Sequence, residues 1–263
     1  MADVLTFSPA QLLTFLFVFT RVGAILLLAP VFGSNEMPMN VRLGFVLIFS
    51  LVLLPIIEVP AWPLQQSAFA LVPALVAELL IGAILGFTVR LLFAAVQLGG
   101  ELAGFQMGLA IANVIDPLTQ REVSVLSQAK NVLAMLLFVT LNIHYWFIYA
   151  LVRSFQLVPP FGLSLSEPLM ETLVRLSGAM FLIGLHLAAP LMATLLFTTV
   201  ALGLLAKTVP QINVFIMSMP LNIAVGLLVL GASLPMIMGL IQRLYENLGE
   251  QFSLLLHLMG RVT

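Results

Sequence analysis

Apolar residues in this chain run in long blocks, interrupted by prolines, glycines and single charges, rather than in the short periods of a soluble helix or strand. The blocks lie at roughly Gln11 to Phe32, Val41 to Ile57, Ala68 to Leu98, Ser124 to Val152, Leu169 to Ala206 and Ile212 to Ile241. Each can reach across a hydrocarbon core of about 30 Å, which takes about 20 residues of helix. The third, fifth and sixth exceed that length and must tilt, kink or project beyond the bilayer. Pro73, Pro190, Pro220 and Pro235 lie inside the blocks and predict kinks. From Gln242 to Thr263, Leu244, Leu248, Phe252, Leu255, Leu256 and Met259 recur at helical spacing, predicting an amphipathic tail helix that lies on a surface. The pattern predicts an all-α polytopic membrane protein in which residues 1–263 form a single membrane domain.

One stretch departs from this scheme. Gly99 to Val123, GGELAGFQMGLAIANVIDPLTQREV, is too apolar for an exposed loop and too rich in glycine and punctuating residues for an ordinary spanning helix. Non-helical backbone at membrane depth must be shielded by protein or line an aqueous cavity, because lipid offers no partner to a free N–H or C=O. The segment is therefore a candidate re-entrant element or gate, set against the plainer reading of a helix end plus a linker. Met107, Leu109, Ile111, Val114 and Ile115 are apolar residues set among Gly104, Gly108, Asn113 and Pro117. Asp116 before Pro117 favours a turn or chain break.

Composition fixes the solvent. Of 263 residues, 62% are hydrophobic and 8% charged, against about 25% charged in a typical soluble domain. Ten Lys and Arg nearly balance eleven Asp and Glu, and no basic run or interleaved aromatic patch suggests a nucleic-acid partner. Cysteine is absent, which removes disulfides, thiolate metal sites and cysteine nucleophiles. The first ten residues hold no basic stretch, so the first block reads as a retained helix rather than a cleaved signal.

Charges inside the blocks are the next clue. Arg21 costs about 2.5 to 3.5 kcal/mol on an insertion scale, whereas the Leu, Ile, Phe and Val residues of its block contribute roughly −4 to −8, so the block inserts despite it. Glu78 and Arg90 are about 18 Å apart on a straight helix, too far to pair, and each needs a partner elsewhere. With Glu101 and Lys130 they form the candidate buried polar set, since ionisable groups in spans face a bundle interior or a watery cavity. His144, Glu171, Arg175 and His186 add to the collection, the two lone histidines reading best as structural. Gly82 with Gly86, and Gly100 with Gly104 and Gly108, space small residues for close helix approach.

The search for enzyme chemistry is mostly negative. The chain has no phosphate-binding G-x-x-x-x-G-K-[ST], no H-E-x-x-H and no G-x-S-x-G. Catalysis, cofactors and bound metal are therefore not expected. Between Lys207 and Asn213, Pro210 prevents an uninterrupted helix, and the amides of Gln211 and Asn213 can satisfy the broken ends.

Taken in order, these motifs resemble the FliR family of flagellar type III export-gate proteins. The resemblance rests on GELAGFQMGLAIANVIDP from Gly100 to Pro117 and the following apolar run with Asn142, His144 and Trp146. It also takes in Arg21 with Pro30, the helix of Glu78, Gly82 and Gly86, and AKTVPQINVF from Ala206 to Phe215. It extends over nearly the whole chain. It implies a spiral assembly of tilted helical hairpins with FliP and FliQ, with FlhB and FlhA nearby, passing unfolded flagellar subunits across the bacterial inner membrane at the flagellar basal body. It further implies a FliP-like part over about residues 1–206 and a FliQ-like hairpin over about 169–241 that overlaps it. By the same resemblance, residues 106–122 are a plug, with Gln106, Met107, Gly108, Leu109, Ile111, Asn113, Val114, Ile115, Asp116 and Pro117 at its centre. Lys207, Pro210, Gln211 and Asn213 become a cytoplasmic hairpin tip, an orientation that charge bias alone does not settle. Two other readings stay open at this point: a secondary transporter of a small solute or ion, though neither paired repeats nor a coupling-ion site is visible, and a passive structural subunit with no moving gate.

Overall fold

A backbone without water must satisfy its own polar groups, and this sequence does so with helices. The computed structural model describes residues 9–29, 38–57, 71–109, 125–209 and 213–260. They form α1 (Pro9–Leu28), α2 (Met39–Leu53), α3 (Leu71–Gln106), α4 (Val125–Thr140), α5 (Ile143–Leu157), α6 (Glu167–Thr208), α7 (Val214–Glu246) and α8 (Leu248–Met259).

Among the described residues, four apolar runs are long enough to cross a membrane: Gln11–Leu28, Leu71–Gln106, Glu167–Thr208 and Ile216–Met259, the last taking in α7 and α8. α4 and α5 pass the same test only as a pair, which raises the number to at most five. The expected six spans are thus corrected at two blocks. α2 has 15 residues, about 22 Å of helix against a core of about 30 Å. Block four is broken at Asn142, whose φ of 56° lies in the left-handed region, which asparagine tolerates better than most side chains. In the other direction, α3 has 36 residues and α6 has 42, about 54 and 63 Å, so both outreach the hydrocarbon. Pro73 is the third described residue of α3, whose described part opens at Leu71. Pro190, Pro220 and Pro235 are inside α6 and α7 as expected.

The chain divides into two units. The first comprises residues 1–91, 142–176 and 246–263. Here α1 packs on α2 and α5 on α8, with Phe147 and Phe252 in ring contact at 6.5 Å. A short extended turn after α5 closes on the end of α8: Leu163 bridges Gly260, and the Ser164 N–H donates to the Met259 carbonyl at 2.8 Å. α8 buries Leu248, Phe252, Leu255, Leu256 and Met259, so the amphipathic tail forms with its apolar face turned inward.

The second unit comprises residues 92–141 and 177–245. The end of α3 packs there with α4, α6 and α7. Phe93, Phe138 and Tyr245 form an aromatic cluster at 5.8 to 6.2 Å, and the Tyr245 hydroxyl donates to the Ala134 carbonyl at 2.9 Å.

Candidate functional site

In the first unit, two charges lie at the contact of α1 and α3. Arg21 and Glu78 are fully buried. Arg21 donates through Nε to one carboxylate oxygen of Glu78 and through Nη2 to the other, the latter at 2.9 Å. Nη2 also donates to the Val158 carbonyl at 2.9 Å, Nη1 to the Ser154 hydroxyl at 3.1 Å, and the guanidinium stacks 4.0 Å from the Phe155 ring centre. A planar fork matched to a carboxylate is the geometry arginine supplies and lysine does not. Four guanidinium hydrogen bonds and both carboxylate oxygens are engaged within the chain, which suits the pair to fixing helices.

Glycines make that approach possible. A Cβ on Gly82 would lie 2.6 Å from both the Arg21 carbonyl and the Ala24 side chain, and one on Gly86 would lie 2.8 Å from Leu28. The G-x-x-x-G face therefore lies against α1 at near-backbone distance.

A comparable close approach recurs in the second unit. A Cβ on Gly99 would fall 2.8 Å from Leu187 and 2.9 Å from the Gly184 carbonyl, and one on Gly100 only 2.4 Å from the Ser127 backbone. The Ser127 hydroxyl donates to the Gln97 carbonyl at 3.0 Å. Lys130 is buried beside them, its Nζ reaching the carbonyls of Gly99 and Leu187 at 3.4 and 3.5 Å with no carboxylate partner among the described residues. Six residues beyond Gly100, α3 stops at Gln106. Met107 is fully buried against Ala103, Leu126, Leu191 and Leu195, and a Cβ on Gly226 would lie 2.7 to 2.9 Å from its side chain. Gly108 has φ of 80° and Leu109 donates its N–H to the Gly104 carbonyl at 3.0 Å, closing the helix with a left-handed glycine.

The sequence-predicted residues fall into three groups. Of the central segment, Gln106 is exposed at the last position of α3, Met107 is buried, and Gly108 and Leu109 form the closing turn and are half-buried. Ile111, Asn113, Val114, Ile115, Asp116 and Pro117 lie outside the described residues. The part from Gly99 to Gln106 is regular helix, so the departure from helix begins eight residues later than the sequence suggests. At the hairpin tip, Lys207 is exposed in the last turn of α6, and Asn213 accepts the Ile216 N–H on Oδ1 at 3.3 Å. Pro210 and Gln211 lie outside the described residues.

Of the polar set, Arg21, Glu78 and Lys130 are buried. Arg90 is exposed and Glu101 half-buried, accepting from Gln97 Nε2 at 2.9 Å, so the expectation of burial fails for these two within the chain. Glu171, Arg175 and His186 are exposed as well, and half-buried His144 stacks on Tyr145 at 4.4 Å. The sequence gives no sign of Ser154, Phe155 and the Val158 carbonyl, because they meet Arg21 only through the tertiary fold. Gly226 likewise carries no sign in the sequence, with no small residue four positions away in α7.

Comparison with known proteins follows from this geometry. The profile of bacterial export proteins, family 1, matches residues 12–248. The chain is 34% identical over 242 residues to the flagellar biosynthetic protein FliR of Escherichia coli (strain K12), covering 92% of this chain and 91% of that protein. The FliR of Pectobacterium carotovorum subsp. carotovorum is 33% identical over 249 residues, 95% of this chain and 94% of its own. That of Bacillus subtilis (strain 168) is 32% identical over 266 residues, 99% of each chain. With its all-helical apolar architecture, and matched along nearly its whole length, the chain belongs to family 1 of the bacterial export proteins, the family of the flagellar FliR proteins.

Proposed function

We propose that the chain is a non-enzymatic subunit of the flagellar type III protein export gate in the bacterial inner membrane. In this reading it forms part of the conduit for unfolded flagellar subunits, beside FliP- and FliQ-like proteins and close to FlhB and FlhA. Residues 106–122 act as the plug, and the turn from Lys207 to Asn213 is a cytoplasmic tip. The name of the family supports the export role, and the names of the relatives the flagellar one.

The plug assignment is carried by the way α3 ends. A movable seal needs a fixed stem, and Met107, buried and seated against Gly226, supplies one immediately before a left-handed glycine releases the helix. An apolar, proline-terminated sequence then follows, with residues suited to filling a constriction. The buried Arg21–Glu78 pair, by contrast, has each charge matched by the other within the chain, which weighs against a coupling-ion site there.

Export itself provides the test. A strain lacking this chain should retain flagellar subunits inside the cell and resume export when the full chain is restored. Normal export in its absence would overturn the assignment.

A further inference from the structure

Within the first unit, α5 and α8 leave a groove of about 200 Å³ between them. Trp146, Tyr149 and Arg153 descend one face of α5 at helical spacing, and Ser253 and His257 stand opposite on α8. The floor is apolar, with Ala150, Phe252 and Leu256 among its lining residues. No acidic side chain among the described residues lines it.

The polar groups at its edge are poised to donate. Arg153 Nε donates to the Tyr149 hydroxyl at 2.9 Å, so that hydroxyl keeps its own proton for an outside acceptor. The two Nη nitrogens of Arg153 have no partner among the described residues, and neither has the His257 ring. Trp146 and Tyr149 meet edge to face at 6.2 Å, and both are more than half exposed. The indole lies flat against α8 because residue 249 is glycine: a Cβ there would sit 3.1 Å from the ring. A guanidinium, an imidazole, a hydroxyl and an indole N–H thus surround an apolar floor.

We infer that this groove binds the head group of an anionic phospholipid, with the phosphate on Arg153, Tyr149 and Ser253 and the first acyl carbons on Phe252 and Leu256. Arginine is the side chain suited to bidentate phosphate recognition. Tryptophan and tyrosine settle at the boundary between head groups and hydrocarbon. Free phosphate shares the first half of this chemistry but has no use for the apolar floor. The inference does not depend on the plug assignment.

Photo-crosslinking of the full chain, purified with its bound partners into lipid nanodiscs, tests this. A phosphatidylglycerol probe with a diazirine near the glycerol should label peptides of α5 and α8, and the matching phosphatidylcholine probe should label them far less. Arg153→Gln should cut the phosphatidylglycerol adduct about tenfold, the loss expected for a charge-assisted hydrogen bond, while Arg153→Lys, which keeps the charge but not the fork, should lose less. Ser253→Leu, which keeps every charge and fills the mouth, should also reduce labelling. Equal labelling by both probes would overturn the inference, as would adducts indifferent to both Arg153→Gln and Ser253→Leu. Displacement of the phosphatidylglycerol probe by inorganic phosphate would overturn it too, by making the groove a site for the free anion.

Discussion

Removing the guanidinium of Arg21 leaves the Glu78 carboxylate buried with neither a counter-ion nor water, since both residues are fully enclosed. Losing one partner of a buried pair costs about 3–5 kcal/mol, whereas replacing both by apolar residues of similar size is often neutral. Arg21→Ala and Glu78→Ala are each expected to lower the yield of folded chain sharply, and Arg21→Met combined with Glu78→Leu to recover much of it. Membrane extraction followed by size-exclusion chromatography measures this, and normal yields for both alanine variants would contradict it. Met107 offers a second case. Gly226→Ala pushes a methyl into the Met107 side chain, so the variant should melt at a lower temperature, and shortening Met107 in the same chain should return part of the loss. A thermal melt of the four combinations checks the coupling. The need for a partner was legible from the cost of Glu78 in an apolar helix, but its identity was not, because Arg21 lies 57 positions away.

Helices in this chain approach through glycine, and each glycine has its own tolerance. At Gly82 an added methyl meets a backbone carbonyl and a Cβ at 2.6 Å, neither of which can swing aside. Gly44, on α2, has nothing within 4 Å of such a methyl. Gly82→Ala should therefore separate α1 from α3 and loosen the Arg21–Glu78 pair. Gly44→Ala should be neutral or stabilising by up to about 1 kcal/mol, the helix preference of alanine over glycine. Protease resistance in detergent ranks the two, and equal sensitivity would contradict the close-approach account. At this scale the sequence revealed the long helices through their apolar runs and the Gly82–Gly86 face through its spacing. It concealed the break at Asn142, since one residue adopting φ of 56° leaves no trace in hydropathy.

Across the whole molecule, apolar surface is exposed well beyond what isolated surface residues explain. Phe197 and Leu228 are 72% and 75% exposed on α6 and α7, as lipid-facing or partner-facing positions would be. Arg90 on α3 and Arg175 and His186 on α6 are exposed within long apolar helices, and polar side chains in such helices need protein or water beside them. The chain on its own is therefore expected to aggregate in mild detergent and to become monodisperse with FliP- and FliQ-like subunits; a well-folded monomer indifferent to both would contradict that. The membrane class was legible from composition alone. The gate reading was not, and it came from the order of weak motifs along the chain and from the family match. The most direct test is leakage of ions or small solutes across the inner membrane after deletion of several residues between Gly108 and Asp116, with complex yield measured alongside. Raised leakage from a normally assembled complex is the predicted result, and a deleted complex that assembles normally and stays as tight as the parent would contradict the plug.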